Sequence, residues 1–195
     1  VGIGVSAVIG LIVGVLNGML PLVSATFSPF VRVLSMIPPM ALLPILFIAF
    51  GVGEFSKYAL IAIGTAPFIM RELEARVREL PNEQLVKAQT LDANSWQIAW
   101  RIVLPQVTPR LLDAIRLSLG AAWLFLIAAE AIAATEGLGY RIFLVRRYLS
   151  MEVIIPYVVW IALLAFVADI LLRLANRIFF PWYTPGRPRG TEESA

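Results

Sequence analysis

The sequence opens with VGIGVSAVIGLIVGVLNGMLPLVSATFSPFV, residues 1–31, in which no side chain carries a charge. A helix of about 20 apolar residues is long enough to cross the hydrocarbon core of a bilayer. Gly10, Gly14 and Gly18 recur at every fourth position, and such spacing lets a neighbouring helix approach closely in lipid. The stretch therefore predicts a membrane-spanning helix over about residues 1–20.

Charge-free stretches recur along the rest of the chain. They are 33–53, 58–70, 117–129 and 153–168. Only 15% of the 195 residues are charged, against about a quarter in a soluble domain, and a soluble chain of this length could not cover five such segments. The sequence predicts an all-α integral membrane protein with five visible spans. These are about residues 1–20, 33–52, 55–71, 111–134 and 153–179.

The chain contains no cysteine and no histidine. Disulfides, zinc sites built on these residues and thiol or imidazole nucleophiles are therefore excluded. The sequence also contains no glycine-rich phosphate loop followed by Lys and Ser or Thr. We expect no catalytic residue, metal or cofactor in this chain. Basic residues lie in loops rather than in a stripe, so the expected surroundings are lipid and not nucleic acid.

Prolines interrupt the second predicted span. Pro38, Pro39 and Pro44 each lack a backbone donor and push against the preceding turn. A helix facing lipid cannot leave carbonyl groups unpaired. We expect this span to be packed inside protein or to line a wet cavity.

Basic residues predict the orientation. Region 71–110 carries six and the C-terminal flank carries four: Arg71, Arg76, Arg78, Lys87, Arg101 and Arg110, then Arg173, Arg177, Arg187 and Arg189. Two predicted spans separate the two regions, so both lie on one side, and an excess of Lys and Arg marks the cytoplasm. Arg141, Arg146 and Arg147 would lie outside. We divide the chain into a transmembrane domain, 1–180, and a flexible cytoplasmic tail, 181–195.

Residues 80–105 predict two short helices with a break between them. Pro81 suits a first helical position, and Asn94 or Ser95 suits the N-cap of the second helix. In that helix, apolar residues recur with helical periodicity from Trp96 to Leu104. The unit could lie on the membrane surface with its Trp side inward. Periodicity alone leaves open a plain interfacial loop.

The same loop resembles the EAA motif of binding-protein-dependent ABC importer permeases. The similarity rests on Val86-Lys87-Ala88, Asp92 and Ile102-Val103-Leu104-Pro105. Flanking segments are similar to the nitrate, sulfonate and taurine branch of that family. They are Ile37-Pro38-Pro39, Phe50-Gly51-Val52-Gly53, Ala128-Ala129-Glu130 and Gly137-Leu138-Gly139-Tyr140. The resemblance runs from about residue 1 to 183.

The resemblance implies that residues 81–104 are cytoplasmic coupling helices that dock on an ATPase subunit. By resemblance, the coupling residues are Lys87, Ala88, Asp92, Asn94 and Ser95. The family usually has Gly in place of Asp92 and Glu in place of Val86. Because Asp tolerates positive φ better than most residues, we expect the turn to survive. Six helices per subunit are usual, so we expect a first helix to be missing here.

The resemblance also implies alternating access in the bacterial inner membrane. The expected partners are a cytoplasmic ATP-binding subunit, which would hold ATP and Mg, a second permease subunit and an extracytoplasmic solute-binding protein. We assign Met36, Pro38, Pro39, Pro44 and Glu130 to the translocation path or a gate. The solute would be small and polar: a sulfonate, nitrate, bicarbonate or a nitrogen compound of the guanidine or urea type.

Two features of the outer side leave alternatives open. Glu136, Gly137 and Gly139 are expected to form a compact turn that is either a contact for the binding protein, an outer gate or a plain connector. Glu130 lies deep in the fourth span, where a carboxylate must face protein or water, and is either a gate or a purely structural acceptor. The competing functional class is a secondary transporter or channel using Glu130 as an ion site. A scaffold subunit is a third possibility.

Overall fold

The computed structural model describes residues 1–134, 136–146, 148 and 151–183, and every regular element within them is helical. A short 3₁₀ turn (Pro39–Leu42) precedes α3, and a π-helical segment (Ala99–Val103) joins α6 to α7. The α-helices are α1 (Gly2–Met19), α2 (Pro21–Met36), α3 (Leu43–Phe50), α4 (Glu54–Arg78), α5 (Asn82–Thr90), α6 (Ser95–Ile98), α7 (Leu104–Ala133), α8 (Leu138–Arg146) and α9 (Met151–Phe179). The predicted all-α membrane fold is confirmed.

Helix α4 is the centre of the bundle. Leu60, Ile69 and Leu73 on this helix are fully buried. Helix α1 runs parallel to it at very short range, because a Cβ built on Gly14 would lie only 2.8 Å from that of Leu73. The predicted close approach along the glycine face of α1 is therefore confirmed.

Fewer helices meet a criterion of length and hydropathy for membrane spans than the five spans predicted. Within the described residues, three helical segments are long and apolar enough to cross a membrane by this criterion: α1, Ser95–Ile132 and α9. The bent pair α2 and α3 would make a fourth. The predicted span 55–71 corresponds to α4, whose charge-free part, 58–70, is too short for this criterion. Since α4 is surrounded by other helices, its ends can carry charge without facing lipid.

Helix α2 differs from the sequence-based expectation. Residues 21–32 lie between the first two predicted spans, but one helix runs from Pro21 to Met36, with Pro29 inside it. It packs antiparallel to α4, since Ser28 contacts Glu74, while Val31, further along α2, packs with Ala66 and Met70, which come earlier in α4. The chain then bends by 82° before α3. The break predicted from the proline cluster therefore lies between two helices.

The two ends of the bundle are well defined. At one end, Asn176 at the close of α9 donates to the Pro109 carbonyl at the start of α7. The loop after α4 and the C-terminal flank thus lie on the same side, as predicted. Arg147, Arg187, Arg189 and the tail from residue 184 onward lie outside the described residues.

Candidate functional site

Helices α5 and α6, with the turn between them, form a helix-turn-helix at one end of the bundle. Asn94 caps α6: its side chain accepts the Gln97 N–H at 2.9 Å, and the Gln97 side chain accepts the Asn94 N–H at 3.0 Å. This reciprocal arrangement satisfies two donors that a helix start leaves free. Of the two N-cap candidates, Asn94 takes the role and Ser95 is the first helical residue.

The turn between α5 and α6 depends on Asp92, whose φ is 58°. This is the left-handed region, which costs most residues other than glycine about 1–2 kcal/mol. The turn is closed by the Asp92 N–H donating to Gln89 and the Ala93 N–H donating to Ala88, at 3.0 and 3.1 Å. The expected turn therefore survives the replacement of glycine by aspartate.

The two faces of this helix-turn-helix are clearly different. Ala88 and Ile98 are buried against the bundle, in one cluster with Val77 and Val103. Lys87, Asp92, Asn94 and Ser95 are exposed. Of the five predicted coupling residues, Ala88 is thus the one buried within this chain.

The Trp side of the second helix is exposed in this chain, and its expected orientation toward the membrane surface stays a prediction. Trp96 and Trp100 are 70% and 56% exposed and contact each other edge to face, with ring centroids 5.7 Å apart. The buried positions of this segment are Ile98, directly before the π-helical segment, and Val103, its last residue. Val86 and Leu91 are also exposed, at 55% and 76%, and these two side chains and the two tryptophans are hereafter called the turn surface.

The proline cluster lies at the bend after α2. Met36 and Pro38 are exposed, whereas Pro39 starts the 3₁₀ turn and Pro44 stands in the first turn of α3. In the first turn of a helix the missing proline N–H has no partner to lose. Pro44 therefore begins a helix rather than breaking one. The bend leaves a groove of about 530 Å³ against α4.

Glu130 lies at the opposite end of the bundle and is 9% exposed. Its carboxylate accepts the N–H of Gly139 at 2.8 Å. Gly137 has a φ of 119°, and a Cβ there would overlap the Glu130 carboxylate. A Cβ on Gly139 would stand 2.6 Å from the carbonyl oxygen of Ile127. Glycine is thus required at both positions of the outer turn.

The outer connection contains a helix that the sequence analysis did not anticipate. The predicted turn over Glu136–Tyr140 ends at Gly137, and α8 begins at Leu138, so Tyr140 is helical. Glu136 is exposed and lines a small cavity with Glu54 and Lys57. Thr135 lies outside the described residues.

A chain of polar contacts between α7 and α9 was also missed. Arg116 Nε lies 2.9 Å from Asp169 Oδ1, and Arg173 Nε lies 2.8 Å from Asp169 Oδ2. Asp113 continues the chain by accepting from Asn176 at 3.3 Å and from the Tyr183 hydroxyl at 2.6 Å. The signal was available, because Asp169 interrupts an otherwise apolar run in the last span.

Tyr183 closes this chain beyond the end of α9. Burial, together with its hydrogen bond to Asp113, raises the pKa of Tyr183 to about 12. The Arg110 guanidinium lies over the ring, 4.8 Å from its centroid. The segment after α9 is therefore held against the start of α7.

These features define a polytopic α-helical membrane protein with a broken span and an exposed helix-turn-helix at one end. The chain belongs to the family described as binding-protein-dependent transport system inner membrane component, whose sequence profile matches residues 6–184. The resemblance seen in the sequence is thereby confirmed. As a member of that family, it is a multi-pass protein of the inner membrane.

Individual relatives agree with this assignment. The chain is 36% identical over 175 residues to a permease protein of the taurine transport system of Escherichia coli, covering 89% of this chain. It is 28% identical to a bicarbonate transport system permease of Synechococcus elongatus, covering 86% of this chain. The chain spans 63% of the length of the taurine permease and 61% of the bicarbonate permease.

A solved structure shares the fold. The chain is similar to a chain of the MetNI methionine ABC transporter in an inward-facing conformation, with a TM-score of 0.80 at 24% identity. The alignment covers 91% of this chain and 88% of the other.

Proposed function

We propose that this chain is the permease subunit of an ATP-driven importer of a small polar solute. A separate cytoplasmic ATPase subunit would bind ATP and Mg and drive alternating access. A second permease subunit would complete the path, and an extracytoplasmic binding protein would deliver the solute. The chain itself performs no covalent chemistry. Family membership and the names of the taurine and bicarbonate relatives support this proposal.

The observation that carries the proposal is the turn surface. It exposes four large apolar side chains on a capped helix-turn-helix whose other exposed side chains are mostly polar. An apolar patch rimmed by polar residues is typical of a protein interface, and an amphipathic helix commonly docks into a groove of its partner. We assign Lys87, Asp92, Asn94 and Ser95 to the rim of this interface. Ala88 supports it from behind.

The transmission route follows from chain connectivity. Helix α6 passes through the π-helical segment directly into α7, so a displacement of the turn surface reaches the bilayer without crossing a flexible loop. On the other side, α5 follows α4, which packs against the broken span. We place Met36, Pro38, Pro39 and Pro44 along the path that opens and closes.

Replacement of Leu91 by aspartate tests this assignment. Leu91 is 76% exposed, so the subunit should fold and reach the membrane normally. A buried charge at the interface should weaken the ATPase contact and lower ATP-driven uptake at least about tenfold, since one unpaired interfacial charge costs several kcal/mol. Glu83→Gln, at the exposed far end of α5, is the matched control. Normal ATP-coupled uptake by the Leu91→Asp importer would contradict the proposed interface.

Energy dependence separates this function from a secondary transporter that uses Glu130 as an ion site. The Glu130 carboxylate accepts a backbone amide, which gives it a role in the outer turn. We expect uptake to require ATP and to survive collapse of the proton gradient. Uptake that follows the proton gradient without ATP would support the alternative.

A further inference from the structure

The groove at the bend between α2 and α3 faces the part of α4 where its apolar segment ends. Ile63 and Pro67 line it from within the charge-free stretch 58–70, and Arg71 lines it directly after that stretch. Its volume of about 530 Å³ lies in the range of about 300–1,000 Å³ that is usual for small-molecule sites. The groove can therefore hold a small solute.

The unneutralised charge in this groove is positive. The other charged lining residue, Glu72, is engaged by Arg76, whose Nη2 and Nε lie 2.7 and 2.9 Å from Glu72 Oε1. Arg71 has no carboxylate partner among the described residues, and its single hydrogen bond is a long one, 3.4 Å, to the Ser35 hydroxyl. A guanidinium held this loosely retains most of its donors for another group.

A backbone acceptor adds a polar site to the same wall. Pro67 has no N–H, so the carbonyl of Ile63, four residues earlier, lacks its usual helical partner. Water or a solute donor can satisfy this carbonyl only if the groove is wet. The groove thus combines an apolar surface, a guanidinium held by one long hydrogen bond and a carbonyl without its usual helical donor.

From this geometry we propose that Arg71 contacts a small oxyanion, a sulfonate, carboxylate or bicarbonate group, as the solute passes through the groove. The planar guanidinium matches such groups with two parallel hydrogen bonds. A single exposed cation attracts without trapping, as a transit site requires. The inference rests on the proposed function and adds a solute class to it.

The test uses the full-length subunit assembled with its ATPase and binding protein in proteoliposomes. Four labelled probes are offered: taurine, bicarbonate, guanidinium and urea. Solute taken up per ATP hydrolysed is measured for the natural importer, Arg71→Gln, Arg71→Lys and Arg32→Gln. Arg32 is the matched control, because it is an exposed arginine on α2 that does not line the groove.

We expect the natural importer to take up taurine or bicarbonate with ATP. Arg71→Gln should lower the solute moved per ATP at least tenfold while stimulation of the ATPase by the binding protein is retained, and Arg71→Lys should fall between the two. Arg32→Gln should match the natural importer. If the Arg71→Gln subunit does not assemble, Arg71→Lys is the test. An Arg71→Lys importer that moves as much solute per ATP as the natural importer would show that the planar guanidinium is not needed.

Three other results contradict the inference, in distinguishable ways. If Arg71→Gln moves as much solute per ATP as the natural importer, the inference is overturned directly. Uptake of only guanidinium or urea overturns the oxyanion class and leaves the proposed importer function standing. Uptake by the natural complex that does not depend on ATP contradicts the proposed function, and the inference falls with it.

Discussion

The two ends of α7 are fastened in different ways. At the outer end one carboxylate, Glu130, accepts a backbone amide from a turn whose two glycines leave no room for side chains. At the inner end, Asp113 and Arg116 reach α9 and Tyr183 through several side-chain contacts. The contact at the outer end, hereafter the outer joint, depends on a backbone turn that requires glycine at two positions. The contacts at the other end, hereafter the inner joint, involve several side chains, so the loss of one leaves the others in place.

The largest effect on stability is expected when a methyl group is added to the outer turn. Gly137→Ala places a Cβ on the Glu130 carboxylate at a φ of 119°, and we expect a loss of about 3 kcal/mol in stability from strain and overpacking together. Gly53→Ala is the control, because Gly53 has extended backbone and open space around it at the same end. Thermal unfolding in detergent measures both. Equal stability of the two variants would contradict the proposed dependence of the outer joint on glycine.

The next effect concerns the acceptor itself. Glu130→Ala leaves the buried Gly139 N–H without a partner, which costs about 1–3 kcal/mol, whereas Glu130→Gln keeps an acceptor at the same place. We expect impaired assembly for Ala, and near-natural assembly and uptake for Gln. If Glu130→Gln assembles normally and uptake collapses, the charge itself acts in gating and the purely structural account of the outer joint is wrong.

A smaller effect is expected at the inner joint. Arg116 and Asp169 are each 27% exposed in their side chains, so solvent screens their attraction and a single replacement should cost about 1–2 kcal/mol. Arg116→Gln, Asp169→Asn and the double variant form a double-mutant cycle, read by thermal unfolding. A coupling of about 1 kcal/mol is expected. Strictly additive losses would show that the pair contributes nothing to the joint.

The smallest effect is spectroscopic. A phenol whose pKa is raised from 10.0 to about 12 favours folding below pH 10, and that contribution is lost as the pH rises through about 12. Ultraviolet titration of the natural protein should show one tyrosinate forming near pH 12. The Tyr183→Phe variant should lack that step. A step that persists in this variant does not come from Tyr183 and would contradict the predicted effect of Asp113 on this residue.

Several parts of this architecture were predictable from local sequence. Charge-free runs identified α1, α7 and α9, and the four-residue glycine spacing identified the face of α1 that meets α4. The break near Asp92 and the cap at Asn94 follow from the preferences of single residues. Each of these signals lies within a few residues of the feature it predicts.

The parts that were missed depend on contacts distant in sequence. The partner of Glu130 is nine residues away, across a turn, and Asp169 meets an arginine on another helix. Helix α8 has almost no amphipathic pattern to mark it. Apolar patterning also cannot tell a lipid-facing helix from α4, which lies among other helices.

The most direct test of the central claim is the side of the membrane on which the turn surface lies and what covers it. The chain contains no cysteine, so a Leu91→Cys variant carries one thiol, at the exposed tip of the helix-turn-helix. In the subunit without its ATPase, we predict labelling by a membrane-impermeant maleimide from the cytoplasmic side only. Addition of the ATPase should protect the thiol. Labelling from the outer side, or labelling that the ATPase does not reduce, would contradict the account.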